Sequence, residues 1–288
     1  MTSPAAPADH EASVTRAGAA ADRATPRWFS ENPSKAWGEK FFLIYSPIWM
    51  AVILLVIGVG ITDRVGEWGF LAVGLAVAVP LVVVPAVIRD EASLGRSWYQ
   101  TYWFKANLYI AIFSFAANYF GSEYFFDVLG MVYDYPMIEL NFDATLVGSG
   151  EQRVPVLMYL LTQAYFITYH TTAIIVLRRL RTSRLPVGTL LWPVLVVVVA
   201  YFWAWMETRA MANPMIASQF YYKDMALMLT YGSLFYSLYF IASFPIFYNL
   251  DEKRDTNWSL TITAGAACTA GLIMLFLLDF AAAIFGPI

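Results

Sequence analysis

In "YFWAWMETRAMANP", Tyr201 to Pro214, a carboxylic acid stands inside an apolar run. On a helix Glu207 has Trp203 one turn before it and Met211 one turn after it. An acid facing lipid is costly, so Glu207 must face the interior of a bundle. Burial against aromatic rings there favours the neutral carboxyl, and a neutral carboxyl is a general acid. The structural alternatives are a hydrogen bond to a neighbour such as Asn118 and an ion pair with Arg209. Asn213-Pro214 ends this helix, because the residue before a proline is pushed out of the helical region.

Other polar side chains fall on single helix faces. Asn107, Ser114, Asn118 and Ser122 are spaced seven, four and four, and Glu123 comes directly after them. Tyr159, Gln163, Phe166 and His170 are spaced four, three and four. Amides facing lipid would be expensive, so both faces point inward, either to bond helices together or to line a cavity. His170 is one of two histidines, the other being His10. As a neutral imidazole it can both donate and accept. Asp279 lies near the end of the last apolar run. At 1.5 Å of rise per residue, Glu123, Glu207 and Asp279 occupy one half of the apolar layer, with His170 roughly 10 Å away.

The elements that position these groups are set by composition. Hydrophobic residues make up 59% of the chain and charged ones 14%. Uninterrupted apolar stretches of about 20 residues are long enough to span a bilayer. They read Phe41–Ile61, Trp68–Ile88, Trp103–Ser122, Val154–Leu177, Leu190–Ala212, Ala226–Leu250 and Ser259–Phe285. The expectation is an all-α, polytopic membrane domain over residues 28–288 with about seven transmembrane helices. Continuous rather than alternating apolarity argues against strands. Residues 1–27, rich in Ala, Pro, Ser and Thr, lack a core and are expected to be a disordered tail.

Lys and Arg set the orientation. Twelve fall on the side of the N-terminal flank: Arg27, Lys35, Lys40, Arg89, Arg96, Lys105, Arg178, Arg179, Arg181, Arg184, Lys253 and Arg254. Four fall opposite: Arg64, Arg153, Arg209 and Lys223. This asymmetry predicts a cytoplasmic N-terminus, with "LRRLRTSR" as a solvated topology anchor. The membrane would be the endoplasmic reticulum in a eukaryote and the inner or plasma membrane in a bacterium.

Several chemistries lack their residues. One histidine in the body and one cysteine, Cys268, do not supply a metal site or a disulfide. Neither a GxGxxG nor a GxxxxGK[ST] loop is present. The one basic cluster fits membrane topology better than nucleic acid. Carboxyls, amides, hydroxyls and aromatics remain, which suit cofactor-free proton transfer or binding without chemistry. The stretch Glu123–Arg153, acidic and aromatic, reads as a lid or an interfacial segment.

Six stretches in order resemble the cycloeucalenol cycloisomerase (cyclopropylsterol isomerase) family. They are "ENPSKAWGEKFFLIYSPIW" (31–49), "YWFKANLYIAIFSFAANYF" (102–120), "YFFDVLG" (124–130), "YHTTAIIVLRRLR" (169–181), "METRAMANP" (206–214) and "LYFIASFPIFYNLDEK" (238–253). The resemblance implies a membrane isomerase that opens the 9β,19-cyclopropane ring of a cyclopropyl sterol to a Δ8 sterol without a cofactor. Such an enzyme protonates C19, stabilises a cation near C9 on aromatic faces, and removes the C8 proton. Glu207, Asn213, Asn118 and His170 match the family pattern. Plant members carry His at position 123 and Lys at position 127, so the resemblance carries no role to Glu123. The segment Ile138–Arg153 is also longer than the family's.

The residues expected at the chemistry are Glu207, His170, Glu123 and Asp279. Those expected to touch substrate are Asn118, Asn107, Gln163, Asn213, Trp203 and Tyr159, with Gln163 and His170 holding the sterol hydroxyl. The competing readings are an isomerase moving a double bond in another sterol or isoprenoid, and a seven-helix lipid-binding protein without turnover.

Overall fold

A computed structural model describes residues 26–61, 64–89, 91–183 and 187–286. Apart from Pro26 and Arg27, the expected tail lies outside the described residues, as does Arg184. The chain is an α-helical membrane bundle. The helices are α1 (Pro33–Gly58), α2 (Glu67–Ile88), α3 (Tyr102–Ala116), α4 (Ser122–Leu129), α5 (Val156–Arg181), α6 (Leu191–Met211), α7 (Met225–Asn249) and α8 (Leu260–Phe285).

Local chemistry sets the helix ends. Pro33 opens α1 at a position whose N–H would be orphaned anyway, and Asn32 Oδ1 accepts from Ser34 N at 3.1 Å. Pro80 and Pro85 interrupt the hydrogen-bond ladder within α2. Arg178, Arg179 and Arg181 crowd the last turn of α5, where the helix dipole favours cations.

Six of these helices are long and apolar enough to cross a membrane: α1, α2, α5, α6, α7 and α8. The other expected span, Trp103–Ser122, is helical too, but α3 passes into α4 through a π turn, Ala117–Gly121. It is an inner rod, its polar residues Lys105, Asn107, Asn118 and Glu123 all buried. At the centre lies α5, packed on α1, α2, α3, α6 and α7.

Two short strands also form, against the expectation of none. β1 (Met131–Tyr133) and β2 (Phe220–Tyr222) pair antiparallel with Val132 opposite Tyr221. Lys223 N donates to Gly130 O and Asp134 N to Gln219 O, each at 2.8 Å, lengthening the ribbon at both ends. Gly130, at φ 63°, makes the left-handed turn from α4 into β1. The expected lid segment is thus part helix and part ribbon. Beyond the ribbon, a bridge between Asn141 and Pro155 closes a loop at its base. Glu67 Oε2 ties that loop to α2, accepting from Glu139 N and Leu140 N at 2.8 and 2.6 Å.

At the opposite, basic end of the bundle part of the charge is buried: Lys35, Glu39, Lys105, Arg178 and Asp251. Arg178 is fully buried, and its guanidinium donates to both oxygens of Glu39 and both of Glu252 at 2.6–3.1 Å. Its fifth contact is Trp28 O at 2.8 Å. Lys35 Nζ reaches Glu252 Oε2 at 2.9 Å and the carbonyls of Tyr248 and Leu250. Lys105 pairs with Asp251. Arg178 is therefore a buried clamp rather than a solvated anchor. Its neighbours Arg179 and Arg181 lie over the rings of Trp28 and Trp192.

Candidate active site

The half of the bundle remote from Arg178 holds a cavity of about 440 Å³, within the roughly 300–1,000 Å³ of small-molecule sites. Its walls are the far halves of α1, α2, α5 and α6, the π turn, α4 and α7. The ribbon covers it through Met131, Tyr133 and Phe220. Most of the wall is aliphatic or aromatic, including Trp49, Tyr165, Phe166, Tyr169, Tyr236 and Phe240. The buried phenols of Tyr133 and Tyr222 on the ribbon are pushed up by burial, so both stay neutral.

Glu207 lines this cavity from the last turns of α6 and is 4% exposed. Its Oε2 has no hydrogen-bond partner. The Arg209 pairing does not form: that side chain is exposed and lies over the Trp205 ring. A buried carboxyl without a countercharge is far cheaper neutral than ionised. Trp203, expected to touch substrate, stands behind the wall, stacked on the cavity residue Tyr169 with ring centroids 5.2 Å apart.

Asn118 lines the cavity as well. The π turn puts it there, since widening the helix by one residue rotates the positions beyond it. The turn is held by Tyr239, whose hydroxyl donates to Ala117 O at 3.3 Å and lies against Gly121. A Cβ on Gly121 would collide with that hydroxyl. Gly121→Ala is expected to cost about 1–3 kcal/mol by overpacking and to lower turnover by moving Tyr239 and Asn118. Adding Tyr239→Phe, which removes the obstructing oxygen, should recover part of the lost stability. Thermal unfolding in detergent checks both; a Gly121→Ala protein as stable as the parent would refute the account.

The remaining residues stand elsewhere. His170 is fully buried, with Nδ1 2.7 Å from Phe166 O and Nε2 2.7 Å from Ser243 Oγ, outside the cavity wall. Gln163 donates to Asn107 O and Oδ1, and Asn107 to Leu81 O and Trp103 O, tying α2, α3 and α5 together. Tyr159 donates to Phe142 O at 2.9 Å. Asn213 caps the turn after α6, accepting from Met215 N. Glu123 is buried beneath Gly148, both oxygens without a side-chain partner. Asp279 accepts from the Tyr124 hydroxyl in a separate groove with Asp127. Of the ten residues singled out from the sequence, the cavity brings together Glu207 and Asn118. It adds Ser122, named from the sequence on the same inward face as Asn118, and Thr162, Tyr165, Tyr133 and Tyr236, which sequence reasoning passed over.

No protein-family model matches the chain, and no solved structure matches it. Cycloeucalenol cycloisomerase from Arabidopsis thaliana is 37% identical to it over 267 residues, covering 91% of this chain and 90% of the relative. Identity at that level over nearly the whole length of both proteins places the chain in the cycloeucalenol cycloisomerase family.

Proposed function

We propose that the chain opens the 9β,19-cyclopropane ring of a cyclopropyl sterol to give a Δ8 sterol, with Glu207 as the proton donor. The observation that carries this is an unpartnered, buried carboxyl on the wall of an aromatic-lined cavity. The Glu207 proton and the C9–C19 bonding electrons form the new C–H bond at C19. That leaves a positive charge at C9, which the faces of surrounding rings attract. Loss of the C8 proton then closes the C8–C9 double bond. Among the described residues lining the cavity, Glu207 is the single carboxyl. Its conjugate base is therefore the group at hand to take the C8 proton, which returns the acid to its starting form. Atoms and charge balance without an oxidant or reductant.

The test is incubation of the purified protein with a cyclopropyl sterol. In deuterated solvent, the Δ8 product should carry one deuterium in its C19 methyl, because the resting carboxyl exchanges with water between turnovers. Binding of the sterol without turnover would overturn the proposal in favour of a lipid-binding role. A product with the cyclopropane intact and a shifted double bond elsewhere would favour a different isomerase.

A further inference from the structure

Across the cavity wall, Thr162 Oγ1 sits at the centre of a hydrogen-bond cluster whose protons can be assigned one by one. It lies 2.5 Å from Met158 O, 2.9 Å from Asn118 Nδ2, 2.8 Å from the Tyr165 hydroxyl and 3.3 Å from Asn118 Oδ1. Two of these atoms can only accept, and the single Thr162 proton goes to the much nearer one, Met158 O, rather than to Asn118 Oδ1. The Asn118 amide nitrogen can only donate, and its two protons go to Thr162 Oγ1 and to Ser114 O at 2.8 Å. The flipped amide would set oxygen against the Ser114 carbonyl oxygen, so the amide orientation is determined. Thr162 then has one lone pair left, which accepts the Tyr165 proton. Every proton in the cluster is spent. What remains are lone pairs on Tyr165 Oη and Asn118 Oδ1, on residues that line the cavity.

We propose that Asn118, Thr162 and Tyr165 form a donor-free pole that holds the substrate's alcohol by accepting its O–H, and that this pole selects an alcohol over a ketone or an ether at the same carbon. The proposal rests on the reading of the cavity as a sterol site and adds the group that orients the sterol in it. His170 and Gln163 stand outside the cavity wall, with both ring nitrogens of His170 and the amide nitrogen of Gln163 already engaged. The selection comes from the electrostatics of a buried acceptor. An alcohol supplies the missing proton. A ketone or methyl ether brings a further lone pair against two that are already there and leaves them unsatisfied. Thr162 acts through Tyr165, as the sink that keeps the phenol proton turned away from the ligand.

The experiment compares a 3-hydroxy cyclopropyl sterol with its 3-ketone, in binding (quenching of tryptophan fluorescence) and in turnover. The parent protein should bind the alcohol about ten- to a hundredfold more tightly, the range expected for leaving a buried acceptor unpaired. In Thr162→Val the Tyr165 proton loses its acceptor and turns toward the cavity, so the ketone should gain, the alcohol should lose, and the preference should fall toward unity. Thr162→Ser, which restores the acceptor, should restore the preference. A merely structural role for Thr162 would move both ligands together and leave the ratio unchanged. Equal binding of alcohol and ketone by the parent, or an undiminished preference in a folded Thr162→Val protein, overturns the pole. Alcohol-selective binding with no ring opening would instead sustain the pole and sink the proposed reaction.

Discussion

Glu207→Gln should lower the turnover number about 10²- to 10⁴-fold, the usual worth of a positioned general acid, while leaving the protein folded. Gln has the shape of the neutral acid and no proton to give. Glu207 Oε2 has no partner in the resting protein, so the substitution breaks no bond at that atom. The loss should fall on kcat, because the carboxyl acts on a ring carbon that makes no hydrogen bond in the ground state. Asp279→Asn and Glu123→Gln provide the contrast. Neither residue lines the cavity, so both should keep turnover near the parent's. A folded Glu207→Gln enzyme with parental kcat would remove Glu207 from the mechanism.

The second large effect is on stability. Arg178→Met should destabilise the fold by about 3–5 kcal/mol, the cost of removing one partner from a buried ion pair. The deletion strands Glu39, itself fully buried, and takes four bonds from the two carboxylates it holds. Arg178→Lys should rescue little, since one ammonium cannot reproduce a planar fork that engages two carboxylates and a carbonyl. Lys40→Met, on the exposed side of the same helix as Glu39, should change the midpoint of thermal unfolding little. Burial pushes the Glu252 carboxyl up, but its bond to Arg178 and the charges of Lys35 and Arg178 outweigh this and leave it below the ordinary carboxylate range. A depressed folded-state value means that the stabilisation is complete above about pH 4.3, the ordinary glutamate value. It is lost as pH falls through the depressed one. An Arg178→Met protein unfolding at the parent's temperature would show the clamp to be dispensable.

These two groups differ in how far the sequence revealed them. Glu207 was legible because a lone acid in an apolar run conflicts with its surroundings, and the conflict marks an inward-facing group. The clamp was not legible. In "LRRLRTSR" nothing distinguishes Arg178 from Arg179 and Arg181, and its partner Glu39 is 139 residues away. The cavity face of α5 was missed for another reason. Leu161, Thr162, Tyr165, Phe166 and Tyr169 run down the helix at spacings of one, three, one and three. Such a stripe of rings and aliphatics has the same period as ordinary core packing. The neighbouring stripe, with Gln163 and His170, carried more polar atoms and drew the functional reading, yet those atoms join helices. The ribbon escaped because three residues are too few to display an alternating pattern.

The loop closed by the Asn141–Pro155 bridge has a consequence for how this chain can vary. Phe142 N donates to Val154 O and Val156 N to Leu140 O, so the two ends of the loop are fastened to each other. Arg153 and Asp143 pair just beyond that seam. None of residues 143–153 lines the main cavity. Residues added beyond the seam change only the entropy of an already closed ring, and each doubling of its length costs only about 0.6 kcal/mol. Insertion into this segment is therefore nearly free. It could grow by many residues and the chain would still enclose the same volume, whereas one methyl group at Gly121 would reshape it.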